Sequence, residues 1–333
     1  MKILITGICG FVGSQLAKAL LEANPTWEIT GIDNFSRAGS WLNKAPLESM
    51  GIKIVHGDIR NASDVENLPQ TDWVIDAAAN PSVLAGVDGK TSSRQLVEHN
   101  LYGTINLLEY CKRHSAGFVL LSTSRVYSIA GLSRLKMQLH DDAFHPDPDQ
   151  PFPDGITING VNESYSTRPP VSLYGSTKVT SEHLALEYGE TFGFPVWINR
   201  CGVLAGAGQF GHPAQGIFAY WIHSFREGRP LKYIGFGGLG NQVRDCLHPR
   251  DLLPLLEKQF AEPITTDKPR ISNFSGGIEN SMSLAQLTAW STKRYPHSNT
   301  ISSLPSAHCP LPTANSPLPT ANSGEARPFD IPW

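Results

Sequence analysis

The chain opens with a short apolar segment that runs directly into a glycine-rich turn. Residues 2–6 are predicted to form a β-strand, and Thr6-Gly7-Ile8-Cys9-Gly10-Phe11-Val12-Gly13 follows them as a GxxGxxG pattern. Apolar residues then recur at helical spacing, which predicts a helix over 13–23. Glycines let the backbone turn tightly here and let a pyrophosphate reach the unpaired N–H groups of the helix N-terminus. The turn therefore predicts a strand-turn-helix unit that binds a dinucleotide.

Short apolar runs alternate with helix-length periodic segments through roughly the first 200 residues. The predicted strands are 2–6, 28–32, 53–56, 73–77, 117–122 and 195–200, and the predicted helices are 13–23, 96–113 and 173–192. This alternation is typical of a parallel sheet covered by helices on both faces. We therefore expect an α/β fold, a doubly wound parallel sheet of the Rossmann type, with a smaller C-terminal substrate domain.

The domain boundaries follow from changes along the chain. Residues 1–200 are expected to form the dinucleotide-binding domain, joined by part of 231–260, and 201–297 the substrate-binding domain, where the alternation weakens. The stretch 128–170 is predicted to be a long irregular loop that builds a site or a lid. Residues 298–333 contain PLPTANS twice in succession, which predicts a low-complexity, Pro-rich tail that is mostly disordered.

Composition excludes several classes of partner. Lys and Arg number 27 against 30 Asp and Glu, a net charge of −3 without a long run of one sign, so no nucleic-acid partner is expected. The five cysteines are scattered without disulfide or metal-ligand spacing, which predicts core thiols in a reducing compartment and no metal site. No signal peptide is expected before the first strand, and no stretch approaches about 18 apolar residues. We expect a cytoplasmic protein with no membrane partner.

Two acidic residues follow predicted strands. Asp33 ends the second strand, 20 residues beyond Gly13. A carboxylate there binds both ribose hydroxyls and repels a 2′-phosphate, which favours NAD over NADP, although Arg37 could soften that preference. Asp58, after the third strand, lies either beside the adenine amino group or at a helix N-cap.

A second motif, Tyr174-Gly175-Ser176-Thr177-Lys178, opens a predicted helix. The i, i+4 spacing places the phenol and the ammonium on one helix face. There the cation, helped by an oxidised nicotinamide, is expected to lower the tyrosine pKa from about 10 towards neutrality. Upstream, the strand over 117–122 ends in three consecutive hydroxyls, Ser122-Thr123-Ser124, which could hydrogen-bond a reacting alcohol. Tyr174 is therefore the candidate base.

These motifs together resemble the extended short-chain dehydrogenase/reductase family, the nucleotide-sugar epimerases and dehydratases, up to about residue 280. The resemblance rests on the glycine turn and on Asp33, Asp58, Asn100, Thr123, Tyr174, Lys178 and Arg200. It is strongest to the CDP-paratose 2-epimerase (CDP-tyvelose epimerase) branch, through segments 122–127, 200–206, 242–248 and 273–277. It implies an NAD-dependent epimerase that oxidises a nucleotide-diphosphate sugar transiently to a keto sugar.

The resemblance also implies individual roles. Thr123 occupies the family's catalytic Ser/Thr position, with Ser124 as its nearest rival. Lys178 binds the nicotinamide ribose, and Asn100 orders the helix behind the site. Arg244, expected on a strand end facing the cleft, holds a substrate phosphate, the alternative being a surface salt bridge to Asp245.

The full set of implied residues falls into three groups. The catalytic residues are Thr123, Tyr174 and Lys178. The cofactor-binding residues are Gly7, Gly10, Phe11, Val12, Gly13, Asp33, Asn34, Asp58, Ile59, Ala77, Ala78, Ala79, Asn100, Ser122, Tyr174, Lys178 and Arg200. The substrate-binding residues are Ser124, Asn80, Gln209 and Arg244.

The chain departs from the family pattern in two places. Residues 76–82 read DAAANPS where the family often has a His, so Asn80 is the candidate to replace its contact. The C-terminus is shorter than usual, which leaves open an NAD-binding protein whose catalysis has lapsed. A UDP-sugar 4-epimerase or a 4,6-dehydratase also stays open, although the dehydratases usually carry an acidic pair where this chain has Ser124-Arg125. A homo-oligomer is possible.

Overall fold

The computed structural model describes residues 1–87, 89, 92–211, 216–262 and 270–296. Numbered in chain order, the strands in these ranges are β1 (Lys2–Thr6), β2 (Glu28–Asp33), β3 (Lys53–His56), β4 (Trp73–Asp76), β5 (Gly117–Thr123), β6 (Met137–His140), β7 (Ala143–Pro146), β8 (Ile156–Thr157), β9 (Gly160–Val161), β10 (Val196–Cys201), β11 (Val243–Asp245), β12 (Ile271–Phe274) and β13 (Ser281–Ser283). The α-helices are α1 (Phe11–Ala23), α2 (Lys44–Ser49), α3 (Ala62–Glu66), α4 (Ser93–Val97), α5 (Gly103–His114), α6 (Ile129–Leu132), α7 (Ser172–Phe192), α8 (Ile217–Glu227), α9 (Leu253–Ala261) and α10 (Leu284–Arg294).

Seven of the described strands form one parallel sheet in the order β12-β10-β5-β4-β1-β2-β3. The chain winds outward from β1 in one direction through β2 and β3, and in the other through β4 and the later strands. The order reverses between β1 and β4, and a crevice for a ligand opens at the carboxyl ends of the strands at such a point. The predicted α/β doubly wound fold is confirmed.

The inner strands of the sheet are buried on both faces: successive side chains of a strand point in opposite directions, and both sets are covered. Ile3 and Ile5 pack with Leu16 of α1 in one apolar cluster. Leu4 packs in a second cluster with Leu107 of α5 on the other face. Strands apolar on both sides are what a parallel sheet covered by helices requires.

The six predicted strands all lie in this sheet, each within one residue of its predicted ends. The seventh, β12, has the sequence Ile-Ser-Asn-Phe and is half-buried at the edge of the sheet, so it carries no continuous apolar signal. The helix predicted over 96–113 is divided into three consecutive elements. These are α4, then a π-helical turn over Glu98–Tyr102, then α5. π-turns occur frequently at functional sites.

The described chain forms two compact units. The first contains 1–126, 172–204 and 247–274, with the whole parallel sheet. Residues 247–274 join it because α9 is tied to β10: Trp197 Nε1 donates to the Gln259 carbonyl at 3.0 Å, and Asn199 and Gln259 exchange two side-chain amide hydrogen bonds. The predicted boundary at residue 200, with part of 231–260 joining the first domain, stays a prediction.

The second unit contains 127–171, 205–246 and 275–296. The prediction of an irregular loop over 128–170 is wrong, because this stretch forms α6 and two antiparallel hairpins, β6-β7 and β8-β9. A further antiparallel pair, β11-β13, and the helices α8 and α10 complete the unit. Trp221 of α8 donates to the Thr288 hydroxyl of α10 at 2.9 Å.

Two sequence expectations concern the ends and the surface of the chain. The tail over 298–333 lies outside the described residues. Within the described ranges, none of the helices combines the length and the apolar character that crossing a membrane requires.

Cys9, Cys111 and Cys201 are buried free thiols, as predicted, and Cys246 is a half-buried one.

Candidate active site

The glycine turn joins β1 to α1 at the sheet's carboxyl edge. Gly7 has a φ of +60°, and a Cβ on Gly13 would lie 2.4 Å from the Gly7 carbonyl oxygen and 2.7 Å from the Ile8 Cα. Any other residue at position 13 would push the turn away from the helix. Gly10, at the N-cap of α1, offers no side-chain cap. The N-terminal N–H groups of α1 thus face a cradle suited to a pyrophosphate.

Asp33 closes β2 against this turn. Its side chain is buried, and its Oδ2 accepts the Cys9 N–H at 2.8 Å while Oδ1 accepts the Phe35 N–H at 2.8 Å. Each carboxylate oxygen has a further lone pair. The carboxylate is therefore fixed in orientation and can still accept a ribose hydroxyl.

Asp58 lies at the neighbouring strand end, beyond β3. Arg60 donates to both of its oxygens, from Nε at 2.9 Å and from Nη2 at 2.6 Å, and Asn34 donates at 3.0 Å. The hydrogen bond from Arg60 holds the pKa of the Asp58 carboxyl well below its usual value. The N-cap alternative is wrong, because Asn61 precedes α3. Asn34, Asp58 and Arg60 line an open polar cleft of about 530 Å³, a size typical of small-molecule sites.

The residues after β4 pack against the turn through Thr6. The Ala77 and Ala78 N–H groups donate to Thr6 Oγ1 at 3.1 and 2.9 Å, and Thr6 donates to Asp76 Oδ1 at 2.8 Å. A Cβ on Gly7 would lie 3.1 Å from the Ala78 Cα. The sequence predictions include Ala77–Ala79 but not Thr6 or Asp76. A threonine at the end of an apolar strand was the available signal for this bridge.

Asn100 lies in the π-helical turn and holds Asn80 by its backbone. Its Oδ1 accepts the Asn80 N–H at 2.7 Å, and its Nδ2 donates to the Asn80 carbonyl at 3.0 Å. Hydroxyls of Thr104 and Ser181 lie 3.1 Å from the Asn100 carbonyl oxygen. Asn100 therefore joins the segment after β4 to α5 and α7, and the ordering role that the resemblance implies stays a prediction.

Tyr174, in the first turn of α7, is buried, and its phenol is hydrogen-bonded to Thr123 at the end of β5. The Arg125 N–H donates to Thr123 Oγ1 at 3.2 Å. Burial raises the pKa of Tyr174 to about 12, opposed by the Thr123 hydrogen bond and by the Arg125 guanidinium. The lowering towards neutrality is expected with an oxidised nicotinamide bound and stays a prediction; without cofactor, desolvation has the largest effect on the pKa of Tyr174. Ser124, the rival of Thr123, is exposed.

Lys178 follows Tyr174 one helical turn later and is 2% exposed. Its Nζ donates to the Leu121 carbonyl of β5 at 3.3 Å. Burial lowers the pKa of the Lys178 ammonium, and the Asp76 and Glu182 carboxylates oppose that lowering. Thr123, Tyr174 and Lys178 therefore meet where β5 ends beside α7.

Ser122 and Arg200 meet on Glu182, a fully buried residue of α7 that the sequence predictions did not include. Ser122 Oγ donates to Glu182 Oε1 at 2.5 Å. Arg200 donates from Nη2 to Oε2 at 2.6 Å and from Nε to both oxygens at 3.1 Å. These polar atoms are directed to an internal ion pair, and a contact of Ser122 or Arg200 with the cofactor stays a prediction.

The other predicted residues are distributed as follows. Phe11 and Ile59 are buried, Val12 is half-buried, and Ala79 is exposed after β4. Gln209 and Arg244 belong to the second unit. Arg244 is the middle residue of β11 rather than a strand end, and its Nη1 donates to the Val243 carbonyl at 2.6 Å. The substrate-binding roles of Gln209 and Arg244 stay predictions.

The high pKa of Tyr174 leads to a titration prediction. Its unfolded value is about 10, so the stability tied to the neutral phenol is complete below pH 10. That stability is lost as the pH rises towards about 12. In the wild-type minus Tyr174→Phe difference spectrum, tyrosinate absorbance should appear near pH 12 without cofactor and at lower pH when NAD+ is added. Titration of Tyr174 near pH 10 without cofactor would contradict this account.

The model of the NAD dependent epimerase/dehydratase family matches residues 3–273 of the chain. The chain belongs to this family. The match spans the parallel sheet, the glycine turn and the Thr123, Tyr174 and Lys178 cluster. The recognition made from the motifs is confirmed, and the chain is an enzyme of the NAD-dependent nucleotide-sugar epimerase/dehydratase family.

Relatives within the epimerase/dehydratase family differ in substrate. The chain is 32% identical over 296 residues to a CDP-paratose 2-epimerase of Salmonella typhi, covering 86% of this chain and 82% of that one. It is similar to the structure of UDP-glucuronic acid 4-epimerase from Bacillus cereus with UDP-glucuronic acid and NAD, at 26% identity and a TM-score of 0.64, covering 99% and 90% of the two chains. A UDP-glucose 4-epimerase from Thermus thermophilus, at 23% identity, a TM-score of 0.67 and coverage of 93% and 88%, shares the fold.

NAD is the cofactor of this epimerase/dehydratase, and the observed geometry accommodates it. The cradle left by Gly7, Gly10 and Gly13 is space that a Cβ would fill. The N-terminus of α1 faces the cradle, which suits the pyrophosphate, and the fixed Asp33 carboxylate suits the ribose hydroxyls.

Removing the Asp33 carboxylate should weaken NAD binding. Asp33→Ala leaves charge-assisted hydrogen bonds to the ribose unmade, which corresponds to a loss of about 1–3 kcal/mol. Asp72→Ala is the matched control, since Asp72 accepts from the Lys2 N–H at the opposite edge of the sheet. Calorimetric titration of both variants with NAD+ and NADP+ measures the difference. An unchanged NAD affinity in Asp33→Ala, or NADP bound to the purified wild type, would overturn the role of Asp33.

Proposed function

We propose that the protein is an NAD-dependent epimerase that acts on a CDP-linked sugar, most like CDP-paratose 2-epimerase, through transient oxidation of the epimerised carbon. The observation that carries the proposal is the buried Tyr174 phenol hydrogen-bonded to Thr123, one helical turn before Lys178. The similarity to the Salmonella typhi 2-epimerase, over most of both chains, supports the choice of sugar.

The side chains divide the work of proton transfer. Tyr174, once ionised, removes the proton from a sugar hydroxyl, and its Oη holds that proton until the hydroxyl is formed again. Thr123 donates a hydrogen bond to the developing carbonyl oxygen. NAD, when bound, supplies hydride chemistry at the same carbon. The keto sugar then turns its other face before reduction, and Tyr174 returns the proton.

Lys178 has an electrostatic part in this scheme. Its ammonium is buried on the Leu121 carbonyl beside the tyrosine. A positive charge at that place favours the ionised phenol, and burial weakens the screening of that charge by water. Lys178 also supplies donors for the nicotinamide ribose in this proposal.

A UDP-sugar 4-epimerase is the second candidate. It is favoured by the similarity to the Bacillus cereus 4-epimerase, which covers nearly the whole chain. The same Thr123, Tyr174 and Lys178 cluster would serve that reaction. Only the carbon placed next to Tyr174 and the nucleotide would differ.

A substrate panel distinguishes the candidates. The NAD-loaded protein is incubated separately with CDP-paratose, UDP-glucose, UDP-glucuronic acid and dTDP-glucose, and the sugars are followed by proton NMR. The proposal predicts conversion of CDP-paratose to its 2-epimer and little change in the others. Conversion of a UDP-sugar alone would establish the second candidate, and no conversion of any sugar would favour an NAD-binding protein without catalysis.

A further inference from the structure

We propose that Asp76 is a positioning residue of the active site: its buried carboxylate keeps Lys178 charged and connects that lysine to the cofactor turn through Thr6. This rests on the proposed function only in that Lys178 acts in the reaction. The inference concerns a carboxylate that neither the glycine pattern nor the Tyr174 to Lys178 spacing includes.

The first observation is the position of Asp76. It ends β4, is 0% exposed, and is the register partner of Leu120 on β5. The next residue of β5, Leu121, presents the carbonyl on which the Lys178 ammonium rests at 3.3 Å. The Asp76 carboxylate and the Lys178 ammonium are therefore held at the ends of two adjacent parallel strands.

The second observation is the set of hydrogen bonds to Asp76. Thr6 Oγ1 donates to Oδ1 at 2.8 Å, and Thr104 Oγ1 lies 2.9 Å from Oδ2. Both are neutral hydroxyls, so these bonds leave the negative charge of the carboxylate uncompensated. An uncompensated charge buried in a protein is strongly unfavourable unless an opposite charge is near.

The other charged groups around Lys178 are already engaged. Glu182, on α7, accepts hydrogen bonds from Arg200 and Ser122. Cys201, on β10, is a buried thiol whose pKa burial raises to about 12, and burial likewise raises the pKa of Tyr174 to about 12, so both are neutral near pH 7. Among the groups that act on Lys178 in the described part of the chain, Asp76 is thus the carboxylate whose charge stays available to it.

The third observation links Asp76 to the cofactor turn. Thr6 Oγ1, while donating to Asp76, accepts the N–H groups of Ala77 and Ala78. Ala78 in turn lies against Gly7. One carboxylate therefore orients the hydroxyl that fixes the segment packed against the turn, and at the same time acts electrostatically on the lysine.

Asp76→Asn separates charge from shape. The Asn carbonyl can accept from Thr6 as before, and its NH₂ can donate to Thr104, whose own proton can turn to the Asn100 carbonyl at 3.1 Å. The hydrogen bonds to Thr6 and Thr104 are then kept and the charge is lost, while the Asn amide carries a second N–H that the carboxylate does not have. Thr104→Val is the matched control, because it removes one hydrogen bond to Asp76 and leaves the charge.

The test measures the pH profile of kcat and the titration of Lys178 in the NAD-loaded protein. Without the carboxylate the ammonium is less favoured, so in Asp76→Asn the alkaline fall of kcat should move to lower pH by about one unit or more. The ¹⁵Nζ NMR signal that is missing in Lys178→Met should titrate with the same displacement. In Thr104→Val both should stay at their wild-type positions.

Two results would overturn the proposal. One is a profile in Asp76→Asn that coincides with the wild type while Lys178 titrates unchanged; the other is an equal displacement in Thr104→Val, which indicates a packing effect. If Asp76→Asn does not fold, the wild-type NMR titration decides: a Lys178 amine that is neutral below about pH 8 contradicts a compensating role for Asp76. A wild type without epimerase activity would refute the proposed function, and the NMR titration would still test Asp76.

Discussion

Tyr174→Phe is expected to lower kcat about 10³-fold or more while NAD stays bound. In the proposed mechanism the phenol takes and returns the substrate proton, and a loss of this size corresponds to about 4 kcal/mol of transition-state stabilisation. The ring is buried, so phenylalanine preserves its packing. Steady-state kinetics with the substrate that the panel identifies, together with calorimetric titration of NAD+, measures both parts of the prediction.

Tyr110→Phe is the matched control for this loss. Tyr110 is also a buried tyrosine of the first unit, and its hydroxyl donates to the Pro69 carbonyl. Tyr110 lies in the apolar cluster that includes Leu107 of α5, and Tyr174 does not belong to that cluster. Its removal should lower stability by about 1 kcal/mol and leave kcat near the wild-type value. If Tyr174→Phe retained most of its activity, or if Tyr110→Phe lost as much, Tyr174 would not be the base.

The second large effect is expected in stability. Glu182→Gln removes the carboxylate that neutralises Arg200, a guanidinium 5% exposed between α7 and β10. Loss of one partner of a buried ion pair leaves an uncompensated charge and lowers the free energy of unfolding by about 3–5 kcal/mol. Urea denaturation of the purified variant, followed by circular dichroism, measures the change.

An exposed ion pair in the same unit provides the control. Glu22 and Arg250 form an ion pair at 2.5 Å, and their side chains are 49% and 45% exposed. Such pairs contribute about 0–1 kcal/mol, so Glu22→Gln should unfold close to the wild-type urea concentration. Equal destabilisation by the two substitutions would contradict the importance assigned to the buried Glu182 and Arg200 pair.

The parts of the fold that the sequence predicts are those with local signals. The glycine turn, Asp33 and the Tyr174 to Lys178 spacing each lie within a few residues of a strand or helix end, and position alone indicates their chemistry. The apolar runs of β1, β4 and β5 predict a buried parallel sheet for the same reason.

The parts that sequence reasoning missed depend on contacts between distant residues. In the sequence, Glu182 looks like an ordinary helix residue and Arg200 like the end of a strand. Only the packing of α7 on β10 makes them a buried ion pair. Asp76 acquires its partners from β1 and α5. The raised pKa of Tyr174 likewise follows from burial, which i, i+4 spacing does not reveal.

The stretch 128–170 illustrates the opposite error. Its Pro, Asp and Gly content predicts an irregular loop, but several of those residues lie in or beside the turns of short hairpins. Gly155, with a positive φ, precedes β8, and Gly160, also with a positive φ, is the first residue of β9. Asp141 and Asp142 form the turn between β6 and β7. Turn-forming residues at close intervals are also what short hairpins require.

Transient oxidation at a single carbon is tested most directly by the fate of the hydrogen on that carbon. The NAD-loaded protein is incubated with CDP-paratose in D₂O until the 2-epimers equilibrate, and the deuterium content of the product at C2 is measured by mass spectrometry and NMR. Our account predicts the 2-epimer with no deuterium at C2, because the hydrogen leaves as a hydride and returns to the same carbon. Deuterium at C2 of the product, or no 2-epimer at all, would contradict it.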